Sequence, residues 1–176
     1  MIQFVPEHLA IESAIRLNSL SDYNFLIVGL SYVLAVTGSY LALAMLRSPK
    51  TTQGKTRFIG LSLGATVFAI AVWSMHYTGM LSYNMTMVHE YDTALTILSA
   101  AVALFFAGLA FYTLARKDFN FRHIFLVAPI LGIGVATMHY AGMSSMEMDA
   151  DIYYVPDLFI LSVAIAVAAS GAALWI

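Results

Sequence analysis

Two hexapeptides carry most of the chemistry open to this chain: Met75-His76-Tyr77-Thr78-Gly79-Met80 and Met138-His139-Tyr140-Ala141-Gly142-Met143. They differ at one position and begin 63 residues apart. Cysteine is absent, which excludes disulfides, thiolate ligands and thiol catalysis and leaves methionine as the soft ligand. Eight of the ten Met fall within 75–87 and 138–148, so the thioethers cluster around the two histidines. Imidazole with thioether suits copper, above all Cu(I), whereas zinc ordinarily takes thiolate, more imidazole or carboxylate.

Helical spacing sorts these residues by face. Positions four apart stack on one side of a helix, which aligns His76 with Met80 and Tyr83, and His139 with Met143 and Met146. Gly79 and Gly142 follow on the same side, where a missing side chain lets another backbone approach. His76, His139, Met80 and Met143 are therefore the expected ligand set. Met75 and Met138 are turned about 100° from the neighbouring histidines and join it only if the helix end unwinds. Tyr77 and Tyr140 could hydrogen-bond, support the ligands or anchor the helix at an interface. Met85, Met87, His89, Met146 and Met148, beside acidic residues, could form an outer capture surface for copper. His8 and His123 read as ordinary. Two histidines on separate helices also allow a bis-histidine haem b, and a membrane scaffold without metal is the plain alternative.

The elements that position these residues are membrane spans. The chain is 61% hydrophobic and only 10% charged, against roughly 25% charged in a soluble domain. Five apolar segments, about Asn24–Leu46, Phe58–Tyr83, Thr93–Ala115, His123–Met143 and Asp157–Ile176, are each near the ~20 residues a spanning helix needs. Pro129 falls within the fourth, where a kink is tolerated. The expected fold is all-α, a polytopic bundle of five spanning helices. Residues 1–23 lack a secretory-signal pattern and read as a leader outside the membrane, in the form of a short interfacial helix.

Orientation follows from charge. Arg47, Lys50, Lys55, Arg57, Arg116, Lys117 and Arg122 fill the first and third connections, seven of the eight Lys and Arg. The other connections hold Glu90, Asp92, Glu147, Asp149 and Asp151. The positive-inside rule then puts the N-terminus outside, the C-terminus inside and both hexapeptides at the outer face. A net charge of −2 without a basic cluster carries no nucleic-acid signature. No carboxylate pair, activated nucleophile or phosphate loop suggests catalysis.

The helices also repeat. Tyr23 precedes Leu30-Ser31, Tyr91 precedes Leu98-Ser99 and Tyr154 precedes Leu161-Ser162, with Ala35, Ala103 and Ala166 four residues after each serine. Even-numbered helices end in the hexapeptide. One unit is thus a helix pair, and the chain holds two units and half of a third.

The repeated Ser-Met-His-Tyr-Thr-Gly-Met and Thr-Met-His-Tyr-Ala-Gly-Met ends, the Tyr-x7-Ser starts and the alternating loops resemble the MHYT domain, a bacterial integral-membrane sensor module. The resemblance covers nearly the whole chain. It implies a cytoplasmic (inner) membrane location, and copper held near the outer face by Met, His and Tyr. It also implies oxygen, carbon monoxide or nitric oxide as ligand, and a cytoplasmic output such as a diguanylate cyclase, phosphodiesterase, histidine kinase or DNA-binding domain. Such domains typically carry three motifs on six or more helices, so this chain is expected to be a fragment that stops within its third repeat. An oligomer is compatible with all of this.

Overall fold

The computed structural model describes residues 3–4, 23–46, 54–83, 90–114, 123–147 and 153–175. Five helices make up almost all of it: α1 (Phe25–Leu46), α2 (Lys55–Leu81), α3 (Thr93–Leu114), α4 (Ile124–Ser144) and α5 (Pro156–Trp175). All five are long and apolar enough to cross a membrane. The shortest, at 20 residues, extends about 30 Å, the thickness of a hydrocarbon core. The expected all-α bundle of five spanning helices is borne out, with boundaries displaced by at most three residues. α2 starts at Lys55 rather than Phe58, so Lys55 and Arg57 form its first turn.

The distribution of side-chain size explains how the helices associate. The buried positions are dominated by small residues: Ala42, Ala65, Ala69, Ala103, Ala107 and Ala110 are all at most 8% exposed. Many large apolar side chains point outwards instead, among them Leu26, Phe58, Phe105, Phe125 and Ile160, each at least 65% exposed. In water this would be a severe liability, but in a bilayer the outer face meets lipid. Small residues then let helices approach closely enough for dispersion and hydrogen bonding to hold them.

Each helix packs on the next in sequence, and α2 touches α4 more lightly across the arc. Two glycines of α4 fix its neighbours. A Cβ at Gly132 would lie 2.5 Å from the Val167 Cα on α5, and one at Gly134 would overlap the Phe106 side chain on α3. Gly60 and Gly64, four residues apart in α2, differ in their surroundings. Gly64 faces Phe111, Met45 and the Ala42 carbonyl, whereas nothing lies within 4 Å of a Cβ at Gly60.

Short strands, which apolar periodicity does not signal, close one end of the bundle. β1 (Gln3–Phe4) pairs in parallel with β4 (Tyr153–Tyr154), and β2 (Glu90–Tyr91) pairs antiparallel with β3 (Met146–Glu147). Of the expected interfacial helix in residues 1–23, only Gln3–Phe4 and Tyr23 are described. The two Gln3–Phe4 residues form a strand, and the rest of that expectation lies outside the described residues.

Candidate metal centre

The two hexapeptides occupy the last turns of α2 and α4, and both helices end on a serine. Ser82 Oγ donates to the Gly79 carbonyl (2.5 Å) and Ser145 Oγ to the Gly142 carbonyl (2.6 Å). The backbone carbonyls of these serines accept the amides of Asn24 and Asp92, both at 2.7 Å. Asn24 and Asp92 in turn cap α1 and α3, their Oδ1 atoms accepting from Leu26 (3.1 Å) and Leu95 (2.8 Å). Each motif helix is thus pinned at its end to the start of the odd-numbered helix before it. The paired ends hold both motifs at one level of the bundle.

At that level the histidines meet. His76 Nδ1 and His139 Nδ1 are 3.1 Å apart, and their rings cross at 75° with centroids 4.8 Å apart. His76 is buried, and its Nε2 has no hydrogen-bond partner among the described residues. The imidazole fits there because position 142 has no side chain: a Cβ would overlap Nε2 and lie 2.8 Å from Cδ2. At Gly142 the close neighbour is thus an imidazole and not the backbone expected there, and at Gly79 a Cβ meets nothing within 4 Å. The repeat is equal in sequence and unequal in space, because His139 stands open where His76 is enclosed.

A cavity of about 490 Å³ lies beside the pair. Its wall includes Met75, Met80, Met138, Met143 and Met146 together with both histidines, Gly79, Tyr83 and Tyr140. The expected distinction between first and second methionines is therefore weaker than helical geometry suggested. Met75 and Met138 reach the same cavity as Met80 and Met143, although Met138 is only 1% exposed and also packs in the core with Ala103 and Phe111. Met85, Met87, His89 and Met148 lie outside the described residues, and His8 does as well.

The motif tyrosines part company with the cavity to different degrees. Tyr77 turns towards α3 and α4, its hydroxyl 3.3 Å from Ser99 Oγ and 3.1 Å from Ser145 Oγ. Ser99 Oγ donates to the Thr96 carbonyl (2.7 Å) and accepts the indole N–H of Trp73 (3.1 Å). Because both serines spend their protons on backbone carbonyls, Tyr77 is left to donate its single proton between them. Tyr140 borders the cavity and bonds to Ser162 Oγ at 2.6 Å. In the sequence Ser99 and Ser162 stand out as repeat positions without an assigned chemistry. The usable signal is their common spacing, 22 residues after a motif tyrosine.

The donor set fits a soft metal. Two imidazole nitrogens 3.1 Å apart are within reach of one ion at metal–imidazole bond lengths of about 2.0–2.1 Å. Thioethers supply the remaining donors on the cavity wall. Among the described residues no three of His, Asp and Glu gather in one place, so thioethers are needed to complete a set here.

The arrangement agrees with the chain's relatives. Three stretches, residues 13–59, 70–127 and 132–176, match the MHYT family, described as a bacterial signalling protein N-terminal repeat. The chain is 36% identical over 157 residues to the bifunctional diguanylate cyclase/cyclic di-GMP phosphodiesterase MucR of Pseudomonas aeruginosa, covering 89% of this chain and 23% of that protein. It is 34% identical over 152 residues to the cyclic di-GMP phosphodiesterase NbdA of the same organism, covering 86% of this chain and 19% of that protein. It is 33% identical over 150 residues to the signaling protein YkoW of Bacillus subtilis, covering 84% and 18% respectively. The chain thus spans about a fifth of the length of these relatives, whose remaining length lies outside the match. No solved structure matches it. With family matches running from residue 13 to 176 over five membrane-spanning helices, the chain belongs to the MHYT family of bacterial membrane signalling domains.

Proposed function

We propose that residues 24–176 are the sensing unit of a bacterial signalling protein of the cytoplasmic membrane, and that this unit holds copper near its outer face. The observation that carries the reading is the meeting of His76 and His139 at 3.1 Å on a cavity walled by thioethers. His76, His139, Met80 and Met143 would hold the ion, with Met75, Met138 and Met146 within reach of the same space. Copper would supply a one-electron couple and a coordination position for oxygen, carbon monoxide or nitric oxide. The chain's own part is to orient the imidazoles through Gly142 and the serine-capped helix ends, and to exclude water with Tyr83 and Tyr23, whose rings meet at 54° with centroids 5.0 Å apart.

The outer-face orientation draws support from the seven Lys and Arg in the two connections, or in the helix turn next to them, at the opposite end from the motifs. A cytoplasmic output that makes or degrades cyclic di-GMP draws support from the names of MucR and NbdA. A bis-histidine haem is less well supported. The two imidazoles that would hold it are in direct hydrogen-bond contact with each other.

Elemental analysis and an absorption spectrum of the purified domain test the reading, on wild type and on the His76→Ala/His139→Ala double variant. Copper in the first and its loss in the second are expected. Equal copper in both sinks the ligand assignment, and a Soret band without copper would favour haem.

A further inference from the structure

The motif tyrosines repeat one pattern of partners. Tyr77 meets Tyr91 edge-on (5.6 Å) and Ser99, while Tyr140 meets Tyr154 edge-on (5.2 Å) and Ser162. Their settings differ. Tyr77 also reaches Ser145, and both of its serines are 0% exposed, so it locks α2, α3 and α4 together. Of the other helices Tyr140 reaches α5 alone, through an exposed Ser162 and the Phe159 ring at 4.5 Å. α5 contributes no buried residue and packs chiefly on α4. A helix with so little buried contact is the element of a bundle most easily displaced.

We propose that Tyr140 is a positioning residue that sets where α5 sits on α4 and passes displacements of the adjacent His139 to α5, with Tyr77 as its locked counterpart. The inference rests on His139 being part of the sensing site, and neither tyrosine is a metal ligand in it. The Tyr140 hydroxyl works through one hydrogen bond, Ser162 Oγ, whose own proton goes to the Phe159 carbonyl at 2.8 Å. A single hydrogen bond between membrane helices shifts a docked-to-displaced ratio by about three- to twentyfold, enough to bias α5 without unfolding the bundle.

The absence of native cysteine makes the test direct, because spin labels attach only at introduced sites. With labels at Ile133→Cys on α4 and Ile165→Cys on α5, Tyr140→Phe and Ser162→Ala should broaden the interlabel distance distribution equally. Combining them should add nothing, and Ser162→Thr should restore the wild-type distribution. Tyr77→Phe should leave that distribution unchanged. His139→Gln should shift the distance in the wild-type background and not in Tyr140→Phe. Unchanged distributions in Tyr140→Phe and Ser162→Ala overturn the positioning role, and a His139→Gln shift that survives Tyr140→Phe overturns the coupling. Copper content and the EPR spectrum of the oxidised site should be the same in wild type and Tyr140→Phe; their loss would make Tyr140 a ligand and overturn the proposal. A wild type that binds no copper would refute the proposed function, while the distance measurements would still decide the positioning role.

Discussion

Gly79 and Gly142 occupy the same place in the two motifs, yet a methyl group should affect them in opposite ways. At position 142 a Cβ overlaps His76 Nε2 and comes within 2.8 Å of Cδ2, so Gly142→Ala must push the imidazole out of its seat. At position 79 the same atom meets nothing within 4 Å. Replacing glycine by alanine inside a helix is worth up to about 1 kcal/mol in propensity, and that gain applies at both sites. It therefore cancels when the variants are compared. What remains is the overpacking at position 142, about 1–3 kcal/mol, together with the His76–His139 contact if the ring cannot return. The two variants should differ in stability by about 1–3 kcal/mol, a factor of roughly 5 to 160 in the unfolding equilibrium. Thermal unfolding in detergent, with copper content measured in parallel, reads both quantities. Gly79→Ala should unfold at or above the wild-type temperature and Gly142→Ala below it with reduced copper. Two variants of equal stability, or a Gly142→Ala protein with wild-type stability and copper, would refute the reasoning.

Further outcomes follow from the same contacts. Ser99→Ala should cost about 1–3 kcal/mol, because Trp73 Nε1 loses its buried acceptor, and Trp73 fluorescence should report the change. Ser162→Ala, at an exposed bond, should cost about 0.6 kcal/mol by the same unfolding assay; equal losses at the two serines would contradict the asymmetry between the joints. Gly132→Ala should loosen α5, since its Cβ would press on the Val167 backbone, at a cost of about 1–3 kcal/mol; exposure of α5 to protease or a lipid-phase probe measures this. At the closed end, Tyr91 and Tyr154 are held above the ordinary tyrosine pKa, first by burial and then by Tyr77 and Tyr140 beside them. The fold prefers their neutral phenols, so this contribution is intact below the ordinary value and is lost as pH rises through the higher folded values. Phenolate absorbance should therefore show one fewer late-titrating tyrosine in Tyr91→Phe than in the wild type, and the stability that these two phenols contribute should fall on the alkaline side.

Much of this protein is legible in its sequence alone. Helix number and span follow from the lengths of apolar runs, because a bilayer requires about 20 residues per crossing whatever the neighbours do. That His76 and His139 belong together is legible from the repeat, since equal residues at equal helical positions end at one level of an up-and-down bundle. The partners of the tyrosines are only half visible: the spacing to Ser99 and Ser162 stands in the sequence, but nothing there says that these hydroxyls face a motif helix. The tertiary structure alone decided which repeat is enclosed. His76 lies against Gly142 and His139 stands open, although the two hexapeptides are almost identical, because burial depends on what packs across the helix and not on the helix itself. It likewise brought Met75 and Met138 to the cavity, contrary to their placement on an ideal helical wheel, since a flexible thioether can reach round its helix to a space that only neighbouring helices define. Period and polarity thus set the elements and their level, and the asymmetry of the site arose where α2 and α4 meet.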